Sequence, residues 1–151
     1  MSRIILLDTG PLGLITNPKL SPEVIACNTW LDNLTTNGVR IGLPEIVDYE
    51  LRRELLRAGK LTGLRRLNFF LHTLEYLPLT TNTMQLAAEF WAQVRQAGLP
   101  TASDAALDAD VILAAQAALL QTLGDDVIIA TTNVRHLERL VPAERWDRIL
   151  V

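Results

Sequence analysis

Apolar and polar positions along the 151 residues of the chain follow two alternating patterns. Continuous apolar runs rich in β-branched residues stand at Arg3-Ile4-Ile5-Leu6-Leu7, Val39-Arg40-Ile41-Gly42-Leu43 and Val127-Ile128-Ile129-Ala130, each closed by polar or breaker residues. Such runs predict strands, and the first and last read as buried on both faces. Tyr76-Leu77-Pro78-Leu79 predicts a shorter strand and 146–151 a last edge strand.

Between the strands the apolar residues recur at three and four. Asp8 or Thr9 caps a short helix that buries Leu12, Leu14 and Ile15, and Asn17-Pro18 stops it. Ser21-Pro22-Glu23 opens the next, with Val24, Cys27, Leu31 and Leu34 on one face and Asn37-Gly38 at its end. Pro44 opens a helix over 45–58 with Val47, Leu51, Leu55 and Ala58 in its stripe, Glu50 at the stripe's edge and Gly59 as C-cap. The helix over 61–74 has Leu64, Leu67, Phe70, Leu71 and Leu74 as its buried side. A long helix spans 80–96 and is closed by Gly98 and Pro100; 101–105 reads as a loop. An alanine-rich helix follows over 106–123, and Asn133 opens a short one to Leu140. Strands alternating with helices predict an α/β fold, a parallel sheet covered on both faces.

The length suits a single domain, 1–151. A formal charge of −3 gives no global attraction to nucleic acid, so any such role rests on local clusters. Cys27 is the one cysteine, which excludes an internal disulfide and a cysteine-based zinc site and fits a reducing compartment. The first apolar run is cut short by Asp8, and no stretch approaches the length of a membrane span, so a cytoplasmic protein without membrane contact is expected.

Ligands of open α/β sheets bind at the carboxyl ends of the strands, and there the acids fall. Asp8 closes the first strand. Asp110 shares a helix face with Leu113, Ala114 and Ala117, a costly place for a carboxylate unless it is paired or metal-bound. Asp108 points roughly to the other side unless the helix starts late, and Asp104 reads as a capping or solvated acid. Glu50 by itself reads as a solvated helix-edge acid, and Glu45 as a first-turn acid favoured by the helix dipole. Thr131, Thr132 and Asn133 fall at the carboxyl end of a late strand. Several carboxylates at one cleft raise each other's pKa unless a divalent cation neutralises them, and all-oxygen ligands favour Mg²⁺ or Mn²⁺. Such a site activates water for in-line attack on a phosphodiester.

In order along the chain, Ile5-Leu6-Leu7-Asp8-Thr9, Ile41 to Leu51, Asp110-Val111-Ile112-Leu113-Ala114-Ala115 and Ile128 to Leu137 resemble the four motif segments of PIN-domain ribonucleases, especially the VapC-type toxins of bacterial toxin-antitoxin pairs. The resemblance covers nearly the whole chain. It implies a three-layer α/β/α sandwich with about five parallel strands, and an endoribonuclease dependent on Mg²⁺ or Mn²⁺ acting on single-stranded or structured RNA. It also implies a homodimer restrained by an antitoxin protein. Asp8, Glu50 and Asp110 take the catalytic, metal-ligating positions, with Glu50 rather than Glu45 as the glutamate. Some members carry an acid near Asn133, which makes Asp108 the candidate for a further metal ligand. Gly10-Pro11 departs from the commoner helix start. Thr9, Thr131, Asn133 and Arg53 are the candidates for contacting substrate.

Arg52, Arg53, Arg57, Arg65 and Arg66 form the densest basic region, which reads first as a solvated helix face, with contact to RNA phosphates or, as the resemblance implies, to an antitoxin as the alternative uses. His72 and His136 read as structural or surface residues, and Trp30, Trp91, Phe69 and Phe70 as core or dimer-interface residues. Two rivals stand beside the nuclease. A haloacid-dehalogenase-type phosphatase also begins with a strand ending in Asp, but it needs a second acid where this chain has Gly10. A catalytically silent PIN fold that binds RNA or protein would keep its affinity when Asp8 is neutralised.

Overall fold

The computed structural model describes residues 2–98 and 103–151, with 104 and 105 as backbone only. Five strands, β1 (Arg3–Leu7), β2 (Arg40–Pro44), β3 (Glu75–Leu77), β4 (Asp126–Thr131) and β5 (Ala143–Arg145), form one sheet in the order β3-β2-β1-β4-β5. Every pairing is parallel. Six helices connect or flank them: α1 (Thr9–Thr16), α2 (Pro22–Thr36), α3 (Glu45–Arg57), α4 (Leu61–Thr73), α5 (Thr81–Gln96) and α6 (Asp104–Thr122). Ile4, Ile5, Leu6 and Leu7 are all fully buried although successive side chains point to opposite faces, so helices cover the sheet on both sides. This is the three-layer α/β/α sandwich.

Local chemistry sets most boundaries. Asp8 caps α1, Ser21 caps α2 with Pro22 at its first position, and Thr80 caps α5. Val24, Cys27, Leu31 and Leu34 are the buried face of α2, as their spacing predicts. Gly42 is required by close approach: a Cβ there would lie 2.5 Å from Leu6 Cδ2 and 3.2 Å from Leu77 Cδ1.

Four sequence expectations are corrected. The last strand is 143–145 rather than 146–151, because Trp146 turns out of the sheet to meet Trp30 edge-on at 5.7 Å and Trp30 Nε1 donates to the Ile149 carbonyl. The stretch after Asn133 is one 3-10 turn, Val134–His136, with both Leu137 and Glu138 donating back to the Val134 carbonyl. On α4 Leu67 is the fully buried leucine, while Leu64, Phe70, Leu71 and Leu74 are only half-buried. Of the aromatic residues read as core or dimer-interface, Phe69 and Trp91 are exposed, which removes the core alternative for these two. The expected loop over 101–105 falls partly outside the described residues, and so does Pro100; from 104 onward the chain is already helical, with Ser103 as N-cap. Among the described residues no helix is long and apolar enough to cross a membrane.

Candidate metal centre and active site

The strand order reverses beside β1: the chain builds outward through β2 and β3, then returns to the other side of β1 for β4 and β5. The crevice at such a switch point opens at the carboxyl ends of the two central strands. Asp8 stands there. Its backbone N–H extends the ladder by donating to the Ala130 carbonyl at 2.9 Å, and its side chain caps α1 by accepting from the Thr9 N–H at 2.7 Å. Its other oxygen accepts from the Thr131 hydroxyl at 2.8 Å. Thr131 is fully buried, and its hydroxyl also accepts the Asn133 N–H at 3.0 Å, so it acts by orienting Asp8.

Glu50 arrives from α3, where it is half-buried one position before the buried Leu51. The Thr9 hydroxyl donates to Glu50 Oε1 at 3.0 Å, linking the start of α1 to α3. Asp110 arrives from the second turn of α6, and its Oδ2 meets His136 Nδ1 at 3.2 Å.

Asp8 acts on both Glu50 and Asp110, and Asp110 acts on Glu50. Burial pushes the Asp8 carboxyl above its ordinary range despite the Thr131 and Thr9 hydrogen bonds that favour its charge. Burial also raises Glu50; the Thr9 hydrogen bond and nearby Arg53 oppose this, while the charges of Asp8 and Asp110 add to it. Asp110 is raised by burial and by Asp8, against the pull of His136 and Arg139.

Three desolvated, mutually repelling carboxylates are the donor set that a hard divalent cation takes. As the side chains stand, no three His, Cys, Asp or Glu groups among the described residues close tightly enough to hold an ion. Glu50 is engaged with Thr9, and Asp110 with His136. The donor set fits Mg²⁺ or Mn²⁺ by its chemistry, and each of these contacts is made by only one carboxylate oxygen.

Asp108 is not brought to this cluster. The early start of α6 makes both aspartates helical, about 200° apart around the axis, and Asp108 is exposed in a groove with Met84, Trp91 and Ile112. Asn133 is exposed at the turn beyond β4. Arg53 lies over the Tyr49 ring at 5.1 Å, at the Glu50 edge of the cleft. Three other arginines of the basic region have local work: Arg52 pairs with Asp48, Arg57 with Glu54, and Arg66 donates to the Ile15 carbonyl at the end of α1. Glu45 accepts the Leu79 N–H at 2.7 Å and so joins the start of α3 to the connection between β3 and α5.

His136 is the residue that sequence reasoning missed. Its one available signal is position: it lies three residues past Asn133 in the turn leaving β4, and that turn overhangs the strand's carboxyl end. Gly10 also gains a reason. A Cβ there would sit 2.6 Å from Thr132 Oγ1, so a side chain at the place where a haloacid-dehalogenase-type enzyme carries its second acid would have to displace that of Thr132.

The fold is a PIN-like three-layer α/β/α sandwich. Among solved structures, the chain is similar over 95% of its length to 98% of a chain of VapBC2 from Rickettsia felis bound to a DNA fragment from their promoter, at 20% identity and a TM-score of 0.73. It is similar to DNA-bound VapBC from Salmonella typhimurium at 22% identity, 97% and 99% coverage and a TM-score of 0.67. FitAcB from Neisseria gonorrhoeae matches at 20% identity, 96% and 99% coverage and a TM-score of 0.66. No protein-family model matches the sequence, and no curated protein does.

Proposed function

We propose that the chain is a metal-dependent endoribonuclease that hydrolyses phosphodiester bonds, the toxin of a toxin-antitoxin pair. The observation that carries this reading is the meeting of Asp8, Glu50 and Asp110, from three elements far apart in sequence, each with its pKa raised by burial and two of them raised further by their acidic neighbours. Keeping like charges together in a desolvated cleft is costly, and their neutralisation by a cation explains why they are there.

Asp8 and Asp110 would hold Mg²⁺ or Mn²⁺, which when bound supplies charge neutralisation and Lewis acidity toward the phosphodiester. Thr131 and the Thr9 N–H fix the two Asp8 oxygens, so the ligand is oriented before the ion arrives. Glu50, anchored through Oε1, has Oε2 to share in holding the ion or to take the proton of the attacking water, and its raised pKa suits it to that proton. Arg53 beside Glu50, and Asn133 exposed at the turn beyond β4, are the side chains to contact the RNA backbone. The VapBC neighbours and the resemblance of the sequence to VapC-type toxins support an antitoxin partner. One turn further along α1 and α3 from Thr9 and Glu50, a groove of about 790 Å³ lined by Gly13, Leu51, Glu54, Leu55 and Gly63 gives that partner room. A homodimer would bury the exposed Met84 and Trp91 of α5.

The deciding experiment is cleavage of a mixed single-stranded RNA panel by purified protein with Mn²⁺, Mg²⁺ or EDTA, beside Asp8→Asn and Asp110→Asn. Metal-dependent cleavage that falls by roughly 10²-fold or more in both variants is expected. RNA bound equally well by wild type and Asp8→Asn, without cleavage of any substrate and without growth arrest on expression, would instead identify a silent binding fold.

A further inference from the structure

Each acid of the cleft is met by a hydrogen-bond donor. Asp8 takes the Thr9 N–H and the Thr131 hydroxyl, and Glu50 takes the Thr9 hydroxyl. Asp110 shares its helix face with the buried Leu113, Ala114 and Ala117, where a carboxylate without a donor is costly. Its partner comes from outside α6: Nδ1 of His136 lies 3.2 Å from Oδ2. An ionised carboxylate offers only lone pairs, so Nδ1 carries the proton. The charge of Arg139, on the same segment as His136, acts on Asp110 as well. That segment is held at both ends. The Asn133 N–H donates to Thr131 Oγ1, which itself donates to Asp8. Leu137 is buried, and its N–H and that of Glu138 both close on the Val134 carbonyl.

We infer that His136 is a positioning residue: through Nδ1–H it holds the Asp110 carboxylate, and with Thr131 on Asp8 it makes the turn after β4 one clasp on two acids from different elements. Asp8 ends β1 and Asp110 belongs to α6, so neither is fixed relative to the other by its own element. The turn supplies that link, with Thr131 at one end and His136 at the other. Groups that hydrogen-bond a metal's ligands orient them before the ion arrives, and their loss weakens the site without removing a ligand. The inference rests on the metal-dependent reading above and adds to it what fixes Asp110.

Untagged protein is needed for the test, because His72 and His136 are then the only histidines. In metal-free protein, ¹⁵N NMR of the imidazoles reads which ring nitrogen is protonated. Isothermal titration with MnCl₂, RNA cleavage kinetics and melting curves follow for wild type, His136→Ala, His136→Asn and Asp8→Asn. Nδ1 of His136 should carry its proton whether the ring is neutral or charged. His136→Ala should bind Mn²⁺ about tenfold or more weaker and lose a similar factor in kcat, with KM for RNA little changed. In His136→Asn the amide nitrogen can stand where Nδ1 stood, and most of both losses should be recovered. An unprotonated Nδ1, unchanged Mn²⁺ affinity in His136→Ala, or equal losses in the two variants with equal falls in melting temperature overturns the role of His136 and leaves the nuclease reading standing. Wild type that binds no Mn²⁺, or binds it as well without Asp8, overturns both.

Discussion

Asp8 carries two loads, capping α1 and facing the other acids, and these have opposite consequences for stability. The cap stabilises by about 1 kcal/mol in general, and Asn caps as well as Asp. The charge, in contrast, is disfavoured by burial, and Glu50 and Asp110 are disfavoured in the same direction. A native pKa above the unfolded value means that the native state binds more protons in between, so this contribution to stability is present at low pH and is lost as pH rises through the native values. In metal-free protein, Asp8→Asn is expected to raise the melting temperature near pH 7.5, by the equivalent of roughly 0.5–2 kcal/mol, with a gain that shrinks as pH falls toward the ordinary carboxylate range. A lower melting temperature at neutral pH would contradict the electrostatic account. Thr131 tests the complementary point. Thr131→Val removes the hydroxyl on Asp8 and should cost about 1 kcal/mol of stability and a larger fraction of turnover, whereas Thr131→Ser should restore both. Steady-state kinetics beside thermal melts separates these effects.

Among the elements, β2 and α6 show how one residue decides what a whole segment can do. Gly42 lies in the middle of β2 between Leu6, Ile4 and Leu77, and no methyl group fits there. Gly42→Ala should destabilise by roughly 1–3 kcal/mol through overpacking, read as a lower urea midpoint at unchanged slope, although β propensity alone favours alanine over glycine. In α6 the outcome turns on the starting point. Asp108 and Asp110 are both candidate ligands on paper, but with Ser103 as cap the helical frame gives the cleft to Asp110 and the groove beside α5 to Asp108. The apolar face was legible there: Leu113, Ala114 and Ala117 are buried below Asp110.

For the whole molecule, the strand order is the decisive fact. Placing β1 between β2 and β4 brings residues 8, 50, 110, 131 and 136 to one crevice, from segments that share no local pattern. On the nuclease reading this convergence makes the ion part of the fold's energetics. Binding to the native state alone stabilises by about 2.7 kcal/mol at a hundredfold excess over Kd, so Mn²⁺ should raise the melting temperature of wild type and EDTA should reverse the rise. Asp8→Asn should start higher and respond little. Equal metal responses in the two proteins would place the ion elsewhere.

The sequence by itself determined the buried strands, the capped helix starts, the face of α2 and the position of Asp8, because each depends on neighbours within one or two turns or on the bare alternation of the chain. The tertiary structure alone decided the rest. Trp146 leaves the sheet for Trp30, more than a hundred residues away, and so ends β5 early. The half-buried leucines of α4 depend on which neighbours cover an outer helix, and periodicity does not report that. His136 becomes part of the site because a 3-10 turn, rather than a continued helix, leaves its ring at Asp110. Local patterns record which residues need burial; which distant residues meet is set by the order in which the strands pair.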